Sequence, residues 1–344
     1  MKLSKDLLNN LVDITSNSAI ACFPYIGKNE KILADKAATD VMRDQLNKLD
    51  IKGEVVIGEG ELDDAPMLYI GEKIGTGKGP EIDIAVDPVE GTNFVAKNQP
   101  GAMSVLAVSE KGNLFNAPET YMEKIATGNH IPKNIVDLDF TVEKNINNYS
   151  KAANKKTDEI SVCILDRPRH KKIISELKRL KVNIKYISDG DVSGALLVSD
   201  KKYGVDIFMG TGGGPEGVIA AAALRKLNCN FQGRFIFSTE NEINRAKKMG
   251  IKNLNKKYEI NEIVKGESIF CATGITSGDL MKGIIKKNDK FITETIVTHN
   301  NAVLEIVKKE VSITWLIEKI TIKDLDWSLR LSVRTHGFHP WKRG

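Results

Sequence analysis

The sequence predicts an α/β protein in which an α+β half precedes an α/β half. In the first half, one helical pattern is followed by three short apolar runs, whereas from about residue 159 such runs alternate with helical patterns. With 344 residues, of which 41% are hydrophobic and 28% charged, the chain is long enough for two domains with substantial cores.

The first predicted element is a helix over residues 34–49, which follows a turn at residues 27–29. Its apolar residues recur at helical spacing, and Asp35 lies in its first turn. Three short, mostly apolar runs then suit buried strands, at residues 55–57, 82–86 and 103–108. The first two of these strands each end in an acidic turn that contains glycine.

The second half alternates predicted strands with predicted helices. The strands are residues 161–165, 184–187 and 205–209, and the helices are residues 171–180 and 218–227. Because residues 142–157 are rich in Asn and Lys, we expect them to connect two domains, 1–158 and 159–297. The segment 298–344 has β-like runs, such as 311–317 and 329–333, and receives no predicted function.

Composition argues against several classes of function. The 50 Lys and Arg exceed the 45 Asp and Glu by only five, and they are spread along the chain, so no nucleic-acid partner is expected. No stretch approaches the roughly 20 apolar residues of a membrane span, so we expect neither insertion nor secretion. The cysteines form no Cys-x-x-Cys pair, which favours reduced thiols in the cytoplasm; they are Cys22, Cys163, Cys229 and Cys271.

The turn after the first predicted strand is strongly acidic. Four carboxylates, from Glu59, Glu61, Asp63 and Asp64, fall within six residues, and their repulsion is relieved if a divalent cation binds. The same composition also fits an exposed acidic loop, so this turn alone does not decide between the two.

The turn after the second predicted strand is Asp87-Pro88-Val89-Glu90-Gly91-Thr92. Carboxylates at the strand end and three residues later can face one cation, and a glycine allows close backbone approach to an oxyanion. The Thr92 hydroxyl can then orient a water molecule. Two acidic strand ends therefore predict a shared site for a hard metal ion.

A glycine-rich segment, residues 210–217, follows the strand at 205–209 and begins the next helix. It contains Gly-x-Gly-x-x-Gly, so a dinucleotide site is one reading of it. Glu216 opposes that reading, because its carboxylate would repel a pyrophosphate at the helix start. Glu216 suits a metal ligand beside a phosphate instead.

Three further groups of polar residues follow other strands. Arg167 and Arg169, which flank Pro168, offer two guanidinium groups to a phosphate, and the Asp189-Gly190-Asp191 turn offers acceptors for sugar hydroxyls. Each also has a simpler explanation, a solvated basic loop in the first case and an ordinary turn in the second. Tyr121 by default is a half-buried core residue. Taken together with the acidic turns, these groups predict hydrolysis of a sugar phosphate.

The motif at residues 87–92 resembles the Asp-Pro-x-Asp-Gly-Thr signature of the lithium-sensitive, metal-dependent phosphatases, with Glu in the second acidic position. Together with several further blocks, it makes the chain similar to bacterial class II fructose-1,6-bisphosphatases from about residue 12 to residue 297. These blocks are residues 56–61, 65–73, 121–124, 189–191, 214–217 and 272–276.

That resemblance implies a layered α-β-α-β-α sugar-phosphatase fold, Mn²⁺ or Mg²⁺ as cofactor, and release of the 1-phosphate of fructose 1,6-bisphosphate in gluconeogenesis. It implies that Asp35 and Glu59 bind one metal ion and that Asp87, Glu90 and Glu216 bind a second. The implied catalytic residues are Glu59, Asp87 and Thr92. The implied substrate-binding residues are Glu90, Gly91, Thr92, Tyr121, Arg167, Pro168, Arg169, Asp189, Gly190, Asp191 and Gly213.

The chain departs from the family pattern at three places. Arg167 stands where the family more commonly has Lys, the insertion near residues 238–244 is short, and no family motif is found after Thr298. We expect a cytoplasmic enzyme that acts on a small sugar bisphosphate. A homodimer or homotetramer is the expected assembly.

The expected mechanism is in-line attack on phosphorus by a metal-activated water, without a phosphoenzyme. An aspartyl-phosphate mechanism is disfavoured, because its Asp-x-Asp motif has one residue between the acids and this chain has two. Sedoheptulose 1,7-bisphosphate, an inositol phosphate or a nucleotide phosphate stays open as the substrate. A sugar-phosphate sensor without catalytic activity is the alternative from outside the enzymes.

Overall fold

Two mixed β-sheets organise the chain in a computed structural model that describes residues 3–58, 67–298 and 305–312. The helices are α1 Lys5–Cys22, α2 Lys31–Leu46, α3 Thr92–Lys97, α4 Val142–Ala153, α5 Lys171–Arg179, α6 Asp191–Leu196, α7 Gly214–Lys226, α8 Glu240–Lys248 and α9 Ile260–Ile263. The strands are β1 Lys52–Ile57, β2 Lys73–Ile74, β3 Glu81–Glu90, β4 Met103–Glu110, β5 Tyr121–Thr127, β6 Ser161–Leu165, β7 Asn183–Ile187, β8 Ile207–Gly213, β9 Asn230–Ile236, β10 Lys257–Glu259, β11 Ser268–Gly274, β12 Ile285–Lys287, β13 Lys290–Thr298 and β14 Glu305–Ser312.

The larger sheet has the order β12-β13-β11-β4-β3-β1-β2, and β14 pairs with β13. Its β1 and β3 are parallel, whereas β3, β4, β11 and β13 run antiparallel to one another in turn. The smaller sheet has the order β10-β9-β5-β8-β6-β7, in which β6 is parallel to both β7 and β8.

The alternation of side chains along the strands builds the three largest hydrophobic clusters among the described residues. On β4, Leu106 packs under α1 and α2, and its neighbour Val105 faces the opposite core between the sheets. The helices α6 and α7 lie in that central core, with Val192 and Ala221 buried there. On the far face of the smaller sheet, α4 and α5 cover Val162.

The resulting order of layers is α-β-α-β-α, and the predicted layered α/β fold is confirmed. Several predicted elements also match: β6 has the predicted bounds of 161–165, and α2, β3, β4, α5, β7 and α7 overlap their predicted ranges. Residues 142–153 differ from expectation, because they form α4 rather than a connection. The Thr141 hydroxyl caps this helix, and Ile146 and Tyr149 bury its apolar side.

The sheets are not divided at the predicted domain boundary after residue 158. Strand β5 precedes that boundary but lies in the smaller sheet, and β11–β13 follow it but return to the larger sheet. The division into 1–158, 159–297 and 298–344 therefore stays a prediction. Of the β-like runs expected in the last segment, β14 reaches Ser312, and residues 313–344 lie outside the described residues.

Within the described part of the chain, no helix is both long enough and apolar enough to cross a membrane.

Candidate active site

A cavity of about 780 Å³ lies where β3, α2 and the starts of α3 and α7 meet the site-facing ends of β5 and β8. Its walls include many of the residues that sequence analysis singled out. These are Asp35, Asp87, Glu90, Gly91, Thr92, Tyr121, Asp189, Gly213 and Glu216. The fold thus brings together residues that are separated by up to 181 positions in the sequence, from Asp35 to Glu216.

The end of β3 forms the acidic wall of this cavity. The regular pairing with β4 is interrupted between Asp87 and Glu90, and the Val89 N–H donates to Asp87 Oδ1 at 3.0 Å. Gly91 then caps α3 with φ +81°, a conformation that favours glycine. The Thr92 hydroxyl donates to the Val89 carbonyl at 3.1 Å, so its oxygen retains the capacity to accept a hydrogen bond.

Glu90 is almost fully buried, and its Oε1 accepts a hydrogen bond from the Val192 N–H at 2.6 Å. Burial raises the pKa of Glu90 well above its ordinary value, and the neighbouring Asp87 carboxylate raises it further. A bound cation would favour the charged form and offset this effect.

Glu216 stands in the first turn of α7, after Pro215 at the start of the helix. Its Oε2 is buried and has no hydrogen-bond partner. Burial raises the pKa of Glu216, whereas the nearby Lys124 ammonium lowers it. An unpartnered carboxylate oxygen in such a position is destabilising unless another group satisfies it.

Asp191 lies at the start of α6, after the left-handed Gly190, and is 8% exposed. Its carboxylate forms an ion pair with Lys124, whose ammonium also donates to the Gly213 carbonyl at 2.7 Å. Asp191 is therefore paired with the buried Lys124 ammonium beneath the glycine-rich end of β8. This arrangement differs from the open hydroxyl acceptor that the turn composition suggested.

The basic loop meets the cavity through two wall residues. The Arg169 guanidinium lies 4.8 Å from the Tyr121 ring centre and donates through Nε to the Thr211 carbonyl at 2.8 Å. The Arg167 guanidinium lies 4.0 Å from Asp189. Pro168 begins the short 3₁₀ turn between them. The loop is thus held against the same edge of the smaller sheet as the glycine-rich end of β8.

The donor set fits a hard divalent cation, although the described residues do not complete a metal site. Among them, no three acidic, histidine or cysteine side chains already stand close enough to hold an ion together. Carboxylate oxygens are nevertheless the ligands that Mg²⁺ and Mn²⁺ prefer, and Glu216 Oε2 is a buried oxygen in need of a partner. Glu59 lies outside the described residues. Gly58, the residue before it in the sequence, lines the cavity.

The sequence model of the family described as bacterial fructose-1,6-bisphosphatase, glpX-encoded, matches residues 5–310. The chain belongs to this family. The resemblance to it and the predicted fructose-bisphosphatase hydrolase function are confirmed by this match.

Two curated relatives of this fructose-1,6-bisphosphatase family member match most of its length. The D-fructose 1,6-bisphosphatase class 2/sedoheptulose 1,7-bisphosphatase of Trichodesmium erythraeum is 42% identical over 80% of this chain and 86% of its own. The fructose-1,6-bisphosphatase 1 class 2 of Escherichia coli is 40% identical over 86% and 91%. A solved inositol monophosphatase from Anabaena gives a TM-score of 0.30 at 14% identity, over 56% of this chain and 71% of its own; so slight a likeness carries no argument.

Sequence analysis missed Lys31, Lys124 and Asn93 at this site. Lys31 and Asn93 line the cavity and bond to each other, and Asn93 also donates to Asp189 at 3.0 Å. Lys124 could have been found from alternation along β5, because it shares a strand face with the buried Met122. A lysine on the buried face of a strand needs a buried partner.

Proposed function

We propose that this member of the fructose-1,6-bisphosphatase family hydrolyses the 1-phosphate of fructose 1,6-bisphosphate to fructose 6-phosphate. The observation that carries the proposal is the cavity itself, which faces the buried, unpartnered Glu216 oxygen and the Asp87-to-Thr92 turn on one side. The basic loop reaches the same cavity through Tyr121 and Asp189. A sugar bisphosphate has two phosphates, so it needs metal ions beside the reacting phosphate and a second positive group, here the arginine loop, beside the other.

Mn²⁺ or Mg²⁺ would be held by Asp35 and Glu59 at one position and by Asp87, Glu90 and Glu216 at another. Such a cation, when bound, neutralises phosphate oxygens and makes water more acidic. Two observations support this assignment: the buried Glu216 Oε2 has no hydrogen-bond partner, and burial together with the Asp87 carboxylate raises the pKa of Glu90.

The residues of the chain would orient the attacking water and the phosphate. Thr92 donates its own proton to Val89, so its oxygen can accept a hydrogen from the water and direct the water's lone pair toward phosphorus. A bond then forms between the water oxygen and phosphorus while the bond between phosphorus and the sugar oxygen breaks. The attacking water gives up a proton, and the departing sugar oxygen takes one up to become the hydroxyl of fructose 6-phosphate. Glu59 and Asp87 would take part in the proton transfer, and no phosphoenzyme forms.

The second phosphate and the sugar would be held by the smaller sheet. Arg167 and Arg169 would bind the distal phosphate beside Tyr121, and Asp189 would accept bonds from sugar hydroxyls. The backbone of Gly91 and Gly213 permits close approach of phosphate oxygens. The family motif also assigns Pro168, Gly190 and Asp191 to substrate binding. Asp191 is paired with Lys124, so we propose that these three residues support the residues that contact the substrate.

Sedoheptulose 1,7-bisphosphate is the second candidate substrate. It is favoured by the name of the Trichodesmium relative, which covers both bisphosphates. We further propose a cytoplasmic homodimer or homotetramer. The four buried, free cysteines are in keeping with a reducing compartment.

The test is phosphate release from fructose 1,6-bisphosphate with Mn²⁺, with Mg²⁺ and after chelation. We expect release of one phosphate only with metal, and losses of about 10²-fold or more in Thr92→Ala and Glu59→Ala. Glu143→Gln, which removes an exposed carboxylate of α4, is the control and should retain full activity.

Robust release after chelation would overturn the metal-dependent mechanism. A faster reaction with sedoheptulose 1,7-bisphosphate would make that sugar the preferred substrate. Binding of either bisphosphate without any turnover would support the sensor instead.

A further inference from the structure

The parallel pairing of β6 with β8 stops before either strand ends. It pairs Val162 with Ile207 and Cys163 with Phe208. Continued by two residues, this register would place Leu165 beside Gly210 and the Leu165 carbonyl within reach of the Thr211 N–H. The strands separate there instead, at the edge of the sheet where ligands collect in α/β proteins.

The imidazole of His170 occupies this gap and replaces the missing backbone hydrogen bond. Its Nδ1 lies 2.7 Å from the Leu165 carbonyl, and the Thr211 N–H donates to its Nε2 at 2.8 Å. Because Nε2 accepts, the proton lies on Nδ1 and donates to Leu165. The side chain is 1% exposed, and burial lowers the pKa of His170, which favours the neutral ring that this bridge requires.

The opposite strand is shaped to accept the ring. Gly210 has φ +140°, and a Cβ at this position would lie 3.0 Å from His170 Nε2. A residue with a side chain would therefore be strained and would also crowd the imidazole. The glycine and the histidine thus form one structural unit, in which the backbone makes room for the ring between the strands.

This unit joins two segments of the proposed substrate site. On one side, His170 closes the 3₁₀ turn that carries Arg167 and Arg169. On the other side, Thr211 accepts from Arg169 Nε at 2.8 Å and leads within two residues to Gly213 on the cavity wall. The width of one imidazole therefore sets the distance between the arginine loop and the glycine-rich end of β8.

We propose that His170 is a positioning residue for substrate binding, which holds the arginine loop and the end of β8 in register for the phosphate and sugar. The proposal rests on the proposed function of the same site. It differs from a role in catalysis because the ring is buried and bonded at both nitrogens, so His170 acts through Arg169 and Thr211 rather than on the substrate.

The test compares His170→Phe, which fills the space without hydrogen bonds, with His170→Gln, whose amide can both donate and accept. We expect the KM for fructose 1,6-bisphosphate to rise about tenfold in His170→Phe, the effect of one or two lost buried hydrogen bonds, while kcat changes less than threefold. His170→Gln should recover most of the affinity. The dissociation constant for Mn²⁺, measured by titration, should stay within about twofold of wild type in both variants.

Matched substitutions at His130, an exposed residue beyond the opposite end of β5, provide the control and should leave KM unchanged. Equal KM values for wild type and His170→Phe would overturn the inference, as would a fall in kcat alone or a loss of Mn²⁺ affinity. If His170→Phe does not fold, His170→Ala decides, because it also removes both hydrogen bonds but adds no bulk. A raised KM in folded His170→Ala would support the inference, and a wild-type KM would overturn it. Absence of turnover in the wild type would instead refute the proposed function and is seen before any variant is made.

Discussion

At the scale of single residues, the acidic wall of the cavity holds more negative charge than its surroundings offset. Burial raises the pKa of both Glu90 and Glu216, and Glu216 Oε2 has no partner. Lys124 is the buried cation nearby, but it is already paired with Asp191. The protein without metal is therefore less stable than its packing alone would allow, and the cavity is prepared for a cation.

Glu216→Gln separates this electrostatic effect from packing. In EDTA, the variant should melt at or above the temperature of the wild type, because the substitution removes a buried charge and keeps the volume. In excess Mn²⁺, the wild type should gain stability, by about 3 kcal/mol at a hundredfold excess over the dissociation constant, and the variant should gain much less. Thermal unfolding in both conditions measures the difference.

Glu240→Gln, on the exposed start of α8, should respond to Mn²⁺ as the wild type does. An equal rise in melting temperature for Glu216→Gln and wild type would show that Glu216 does not bind the ion.

Sequence reasoning was effective for residues whose position in a motif fixes their surroundings. Asp87, Glu90 and Thr92 reach the cavity because a strand ends at their turn. It was weaker for Asp191, because spacing along the chain does not reveal that Lys124 lies beneath the same turn from a different strand. Pairing between strands is a tertiary property and leaves no local trace in an Asp-Gly-Asp motif.

At the scale of secondary-structure elements, the stability of α4 comes from the packing of a narrow apolar side rather than from intrinsic helix propensity. Ile146→Ala should lower the free energy of unfolding by about 2–4 kcal/mol, because it leaves a cavity beneath the helix. Denaturant unfolding measures this loss. The exposed Asn147→Ala on the same helix should change stability by less than about 0.5 kcal/mol.

Both variants should keep the wild-type kcat/KM, since α4 lies on the far face of the smaller sheet from the cavity. A small effect of Ile146→Ala would mean that α4 does not pack as described.

The contrast between β6 and α4 explains which elements the sequence reveals. The run at residues 161–165 is buried nearly throughout, so composition alone predicts β6. In α4, the buried residues are Asn145, Ile146 and Tyr149, and too few of them are apolar to stand out from the surrounding Asn and Lys. Its capping by Thr141 is the local signal that could have identified it.

At the scale of the whole molecule, the layered fold follows from the resemblance, but the exchange of strands between the sheets does not. Periodicity predicts that a segment is a strand without naming its partner, so nothing local shows that β11 returns to pair with β4. This exchange places α6 and α7 between the sheets, where the Val192 N–H reaches Glu90. The cavity therefore depends on how the two sheets pack against each other through α6 and α7; we call this packing interface the joint between the sheets.

The contact between Asn93 and Asp189 crosses this joint at the cavity wall, at 3.0 Å. Asn93→Ala should raise KM for fructose 1,6-bisphosphate by about twofold to tenfold, because Asp189 is no longer held toward the sugar. Lys185→Met breaks a more exposed ion pair across the same joint, with Asp279 at 2.7 Å, and should change KM and stability little. Steady-state kinetics and thermal unfolding of both variants give the comparison.

Equal changes in both variants would mean that any loosening of the joint weakens substrate binding, whereas no change in Asn93→Ala would remove Asp189 from the proposed sugar site. An effect confined to Asn93→Ala would locate the coupling between the sheets at the cavity wall. The distinction matters because binding residues from both sheets face one cavity. Their positions relative to one another therefore depend on the contacts that fix one sheet against the other.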